Sequence, residues 1–225
     1  MTRENAKRIF IAGRTGSGKS TLARSMFRGA GARVIVCDPK GDWQHERGFK
    51  AIVTAPGWPL ALLRTLRTHW QKGFKIALVP PPDGGSPAQD LIETCKLLFK
   101  VQKPYHERQD DRQITLVMEE MSFSYRQGVV SPEAYAPVQS MIRMGRDWGV
   151  NMIGITQSPG TVNRDYRANC AEVYLFALGI SDAKSVTDVK ALIKDPALKS
   201  AYDTMPNYHY IRITDHSCDM LKTKK

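Results

Sequence analysis

The sequence predicts an α/β fold of three layers, with helices on both faces of a mostly parallel central sheet. Three observations predict it. Short β-branched apolar runs alternate with longer segments of helical period, as βαβ units require. The first such run leads directly into a glycine-rich loop that opens a helix. The length of 225 residues, with 42% hydrophobic and 24% charged side chains, suits one soluble domain with a buried core.

Arg8–Ala12 reads as the first strand and Lys19–Arg28 as the helix after the loop. Arg33–Cys37 is a second strand, ended by the turn-forming Asp38-Pro39-Lys40-Gly41. Ala51–Thr54 reads as a third, with a helix over Pro59–Gln71. Lys75–Val79 is a strand stopped by Pro80-Pro81-Pro82, and Asp83–Pro87 reads as a flexible loop. Gln89–Val101 sets Leu91, Ile92, Cys95, Leu98 and Phe99 on one helical face. Ile114–Met118 is a strongly apolar strand running into Glu119-Glu120. A helix over Pro137–Trp148 precedes a strand, Asn151–Thr156, that stops at Gln157. Glu172–Leu178 is a strand, Asp182–Ile193 a helix and Tyr208–Thr214 the last strand. The expectation is one domain over residues 1–215 with about seven or eight strands, and a short basic tail over 216–225.

No apolar run approaches the ~20 residues that cross a bilayer, and Met1–Arg8 lacks the apolar centre of a signal peptide. A cytoplasmic protein is the default. Cys37, Cys95, Cys170 and Cys218 form no Cys-x-x-Cys pair, and no histidine has metal-ligand spacing to them, so zinc is not expected. Lys and Arg number 33 against 22 Asp and Glu, a formal charge of +11. Such an excess fits a polyanionic partner, nucleic acid or an anionic membrane, and equally an evenly basic surface.

Gly13-Arg14-Thr15-Gly16-Ser17-Gly18-Lys19-Ser20 fits the pattern G-x-x-x-x-G-K-[ST] between a strand and a helix. Glycines let backbone N–H groups converge on a β-phosphate. Gly13, Thr15, Gly16, Ser17, Gly18, Lys19, Ser20 and Thr21 are therefore the expected ATP-binding residues, with Lys19 at the β- and γ-phosphates and Ser20 on Mg²⁺. Hydrolysis needs an acidic element at a neighbouring strand end. Glu119 is expected to hold Mg²⁺, and Glu120 to act as general base. Gln157, ending the next strand, is placed to donate to the γ-phosphate and orient water.

These residues resemble the HerA–FtsK superfamily of ring-forming DNA-pumping ATPases. Beside the P-loop, Asp38-Pro39-Lys40-Gly41-Asp42-Trp43 is similar to that family's Asp-Pro-x-Gly-Glu-aromatic turn. The segment Ile142–Val150 is similar to its Gly-Arg-x-x-Gly-hydrophobic element, and Ile155-Thr156-Gln157-Ser158-Pro159 with Arg167-Ala168-Asn169 to its Thr-Gln-x-Pro and Arg-x-Asn elements. The resemblance covers most of residues 8–178 and implies a RecA-like P-loop NTPase of the additional-strand, catalytic-glutamate type. Glu119 stands where the family usually has Asp, one methylene longer. A compact core of this length looks most like the genome-packaging ATPases of membrane-containing icosahedral viruses. That implies a homo-oligomeric ring, commonly a hexamer, translocating double-stranded DNA without sequence specificity, and capsid-vertex or membrane proteins of a virion as docking partners. It also implies an arginine donated in trans, Arg146 before Arg143 and Arg167. Two other readings of a P-loop chain this size are a small-molecule kinase and a phage assembly or secretion ATPase.

Overall fold

The computed structural model describes residues 6–27, 29, 31–128, 131–179 and 183–223; Arg28, Asp182, Lys224 and Lys225 lie outside them. Among the described residues nine strands form one sheet: β1 (Arg8–Ala12), β2 (Arg33–Cys37), β3 (Lys50–Val53), β4 (Phe74–Val79), β5 (Ile114–Met118), β6 (Val150–Thr156), β7 (Glu172–Phe176), β8 (His209–Thr214) and β9 (Cys218–Lys222). Their spatial order is β3-β4-β2-β5-β6-β1-β7-β8-β9. The first seven in that order run parallel, while β8 pairs antiparallel with β7 and β9 antiparallel with β8.

Alternate residues of the central strands point to opposite faces, and both faces are apolar. Phe10, Ala12, Ile35, Leu116, Met118 and Met152 join one core cluster with α2 (Trp58–His69), α3 (Pro87–Val101), α5 (Met121–Ser124) and α6 (Ala136–Met144). Ile9, Ile11, Val34, Val36, Val117, Ile153 and Ile155 join a second with α1 (Lys19–Ser25) and Trp43. The remaining α-helices among the described residues are α4 (Lys103–His106), α7 (Arg164–Ala168), α8 (Ala183–Lys190) and α9 (Pro196–Ala201). No helix among the described residues is long and apolar enough to cross a membrane.

Helices α1 and α8 each stop three residues before the expected end, at Ser25 and Lys190, and three further segments differ from the sequence expectation. Helix α3 begins inside the expected flexible loop, because the Ser86 side chain accepts from the Gln89 N–H and Pro87 occupies the first turn. Helix α6 stops at Met144 rather than Trp148: Val150 N–H turns back onto the Gly145 carbonyl, and Gly149 takes φ +65° against the Tyr105 ring. Residues 218–222, expected in a tail, are the edge strand β9. Their side chains are mostly exposed and their composition is mixed, so the signal for this strand is pairing with β8, not local pattern.

The expected central strands stand within one residue at each end, apart from β7, which stops two residues early at Phe176. The order β5-β6-β1 puts one strand between the P-loop strand and the acidic strand. Their carboxyl ends therefore open on one crevice, where open α/β sheets bind ligands.

Candidate active site

The loop after β1 is pinned at both sides. Gly13 N–H donates to the Thr156 carbonyl at 3.2 Å, and Arg14 N–H to the Ala177 carbonyl at 2.8 Å. Gly13 lies so close to Phe176 and Ser17 Oγ that a Cβ would not fit. Gly18 has φ +106°, and a Cβ there would lie 2.8 Å from the Tyr208 ring. Backbone conformation and crowding thus both require glycine. Tyr208 N–H also donates to the Ser17 carbonyl at 2.8 Å, and Arg14 reaches the Asn207 side chain at 2.9 Å. The turn before β8 therefore buttresses the loop from behind, a contribution no sequence pattern announces.

Lys19 is buried and curls over the loop, donating to the Arg14 carbonyl at 2.9 Å. Burial lowers its pKa, opposed by the carboxylates of Glu119 and Glu120. At the end of β5, Glu119 accepts from the Trp43 indole N–H at 2.8 Å and, on its other oxygen, from the Ser20 hydroxyl at 3.4 Å. Burial raises the Glu119 pKa, against the pull of Trp43 and Lys19. Trp43 is delivered by the turn after β2: the Asp38 carboxylate accepts the N–H groups of Asp42 (3.2 Å) and Trp43 (2.8 Å). That turn stood out in the sequence; its work of supporting Glu119 did not.

Glu120 has φ +48° and ψ 65°, a left-handed conformation uncommon for a residue with a side chain. The kink sends its carboxylate toward the end of β6. Oε1 accepts from Ser122 Oγ (2.7 Å), Thr156 Oγ1 (3.1 Å) and Gln157 N–H (3.1 Å), and Oε2 pairs with Lys40 Nζ at 3.2 Å. Burial pushes the Glu120 pKa up, but the Gln157 amide, Ser122 and Lys40 together hold it below the ordinary value. The Gln157 side-chain oxygen accepts from the Thr15 hydroxyl at 2.7 Å, tying the end of β6 to the loop.

The structure therefore gathers Thr15, Lys19, Ser20, Glu119, Glu120 and Gln157 in one crevice, with Gly13, Gly16, Ser17 and Gly18 in its loop and Thr21 the third residue of α1. Arg146 is elsewhere. It lies in the turn before β6, near enough to Arg8 at the start of β1 to lower that residue's pKa, after burial itself. Seven residues of β6 at ~3.3 Å each separate it by about 20 Å from the P-loop end of the sheet. Arg143 pairs with Asp165 at 3.7 Å, and Arg167 lies on α7.

A sequence model of the family described as the central domain of helicase HerA matches residues 6–135. The chain belongs to that family. It is a P-loop ATPase of the HerA–FtsK type. Among solved structures it is similar to the genome packaging NTPase B204 of Sulfolobus turreted icosahedral virus 2 in complex with AMPPCP: TM-score 0.68, 13% identity, 97% of this chain and 98% of that one. It is also similar to VirB4 of Thermoanaerobacter pseudethanolicus (TM-score 0.63, 13% identity, 97% and 89% covered). The bacterial conjugative coupling protein TrwB is a further likeness (TM-score 0.64, 12% identity, 96% and 85% covered). At these identities the likeness concerns the fold. No curated protein sequence matches significantly.

Proposed function

We propose that this HerA-family ATPase moves double-stranded DNA as a ring, and that its cargo is a viral genome. The observation that carries the ATPase half is the convergence of Lys19, Glu119 and Glu120 on one crevice, with Glu120 held ionised among fixed donors. In this reading the loop amides and Lys19 bind the triphosphate. Glu120 accepts the proton of the attacking water. Gln157, already joined to Thr15, reports the state of the phosphate to β6.

Magnesium fits the donor set. Ser20 Oγ and the Glu119 carboxylate are hard oxygens 3.4 Å apart, and a buried carboxylate gains from a cation. The bound ion supplies charge neutralisation for the transferring phosphoryl group. Trp43 holds the second oxygen of the longer Glu119 side chain.

The cargo reading is supported by the +11 charge and by the resemblance to genome-packaging and conjugative proteins across nearly the whole chain. Phosphate contacts give affinity without sequence readout and weaken with salt. The ring reading is supported by membership of the HerA family, whose resemblance carries ring assembly; Arg146, far from the chain's own P-loop, has no role in cis. The test is ATP turnover against protein concentration, with and without duplex DNA. A superlinear rise and a salt-sensitive DNA stimulation are expected. Turnover strictly proportional to protein, with no DNA binding at low salt, contradicts both parts.

A further inference from the structure

Glu120 is over-supplied with donors for a group that must accept a proton. An ionised carboxylate offers about four lone-pair positions. Oε1 already takes three donors from Ser122, Thr156 and Gln157, which sit on the strand ends and the short helix that build the crevice. Oε2 has one partner among the described contacts, Lys40.

The two sets differ in what can move. Thr156 is fully buried, and the Gln157 donor is backbone. Lys40 stands in the turn after β2 with a side chain 35% exposed, on a flexible four-carbon stem. It is also close enough to Lys19 to act on it electrostatically. A phosphate arriving in the crevice therefore meets two cations, one fixed over the loop and one held by Glu120. An ammonium exchanges readily between a carboxylate and a phosphate, because both are charge-assisted acceptors of the same kind.

We propose that Lys40 is a positioning residue that latches Glu120 through Oε2 and is drawn off by a phosphate group, leaving that oxygen free to face water. The step breaks one ion pair and forms another, with no covalent change. It rests on Glu120 being the base proposed above. The phosphate has two sources of shared chemistry, the γ-phosphate of ATP or the diester backbone of DNA, and each leaves its own kinetic trace.

The experiment is steady-state ATP turnover by assembled Lys40→Met and Lys40→Arg proteins, with and without duplex DNA. Lys40→Gln is read in parallel, so that misfolding of one neutral variant leaves the test intact. If DNA draws off the latch, the neutral variants raise basal kcat about three- to tenfold and lose most of their DNA stimulation. If the γ-phosphate does so, they raise basal kcat and also KM for ATP, while DNA stimulation persists. In either case Lys40→Arg keeps the ion pair and stays near wild type. Neutral variants with unchanged or lowered basal kcat overturn the latch, as does Lys40→Arg matching Lys40→Met. Glu120→Gln is run alongside: if it is inactive while the neutral variants behave as wild type, the latch alone fails. If Glu120→Gln turns over normally, the base assignment fails with it.

Discussion

Two regions build one site in opposite ways. The ends of β1, β2, β5 and β6 supply the chemistry: Lys19, Trp43, Glu119, Glu120 and Gln157 are each placed by the strand that precedes them. The antiparallel edge, β8 with its flanking turn, supplies none of those groups. Instead Tyr208 packs on Gly18 and binds the Ser17 carbonyl, Asn207 holds Arg14, and the Tyr202 hydroxyl donates to the Phe176 carbonyl at 2.8 Å. Chemistry demands particular residue types at particular spacings, whereas support demands only that something fill the space. The first region is therefore written in motifs and the second is not.

The largest effect should separate the regions cleanly. Lys19→Ala is expected to abolish turnover, since Lys19 is the buried cation that curls over the loop; a phosphate-release assay retaining a tenth of wild-type rate would place the grip elsewhere. Next, Leu116→Ala, at 0% exposure in the centre of β5, should cost about 2–5 kcal/mol of stability by leaving a cavity. Met220→Ser on β9, 36% exposed, should change stability by no more than about 0.5 kcal/mol. Denaturant melts of the two compare the regions directly, and equal losses would mean that the edge is as much core as β5. Smaller again, Tyr208→Ala should weaken ATP binding several-fold with kcat little changed, because it loosens the loop without touching Glu120. A kcat loss as large as the binding loss would move Tyr208 into the chemistry. Trp43→Phe differs in its readout: it removes one charge-assisted hydrogen bond to Glu119, worth about 1.5–3 kcal/mol, in a site that keeps Ser20. It should raise the magnesium concentration needed for half-maximal turnover and leave ATP binding without metal unchanged.

The same contrast explains what was legible in the sequence. Strand β5 and its two glutamates were readable to the residue, because a buried parallel strand is a continuous apolar run and the acids end it. The P-loop was readable because its glycines answer a backbone need. Strand β9 was not, since an exposed edge strand of Cys, Asp, Met, Leu and Lys carries no alternation to detect. The end of α6 was missed because apolar periodicity continues through Trp148, whereas the chain is turned at Gly145 and Gly149. Lys40 and Trp43 sat inside a recognised turn, but their reach to Glu120 and Glu119 depends on how β2 and β5 pair, which is tertiary. Arg146 matched a family segment by sequence, and its place before β6 already set it at the end of that strand away from Gln157; its nearness to Arg8 is tertiary.

Single-turnover hydrolysis by Glu120→Gln, with ATP binding measured on the same sample, bears most directly on the central claim. Binding within a few-fold of wild type and phosphate formation slowed at least ~100-fold are predicted, the range over which a positioned base acts. Phosphate formed at the wild-type rate would mean that another group readies the water, and the crevice beneath Lys40 would have to be reassigned.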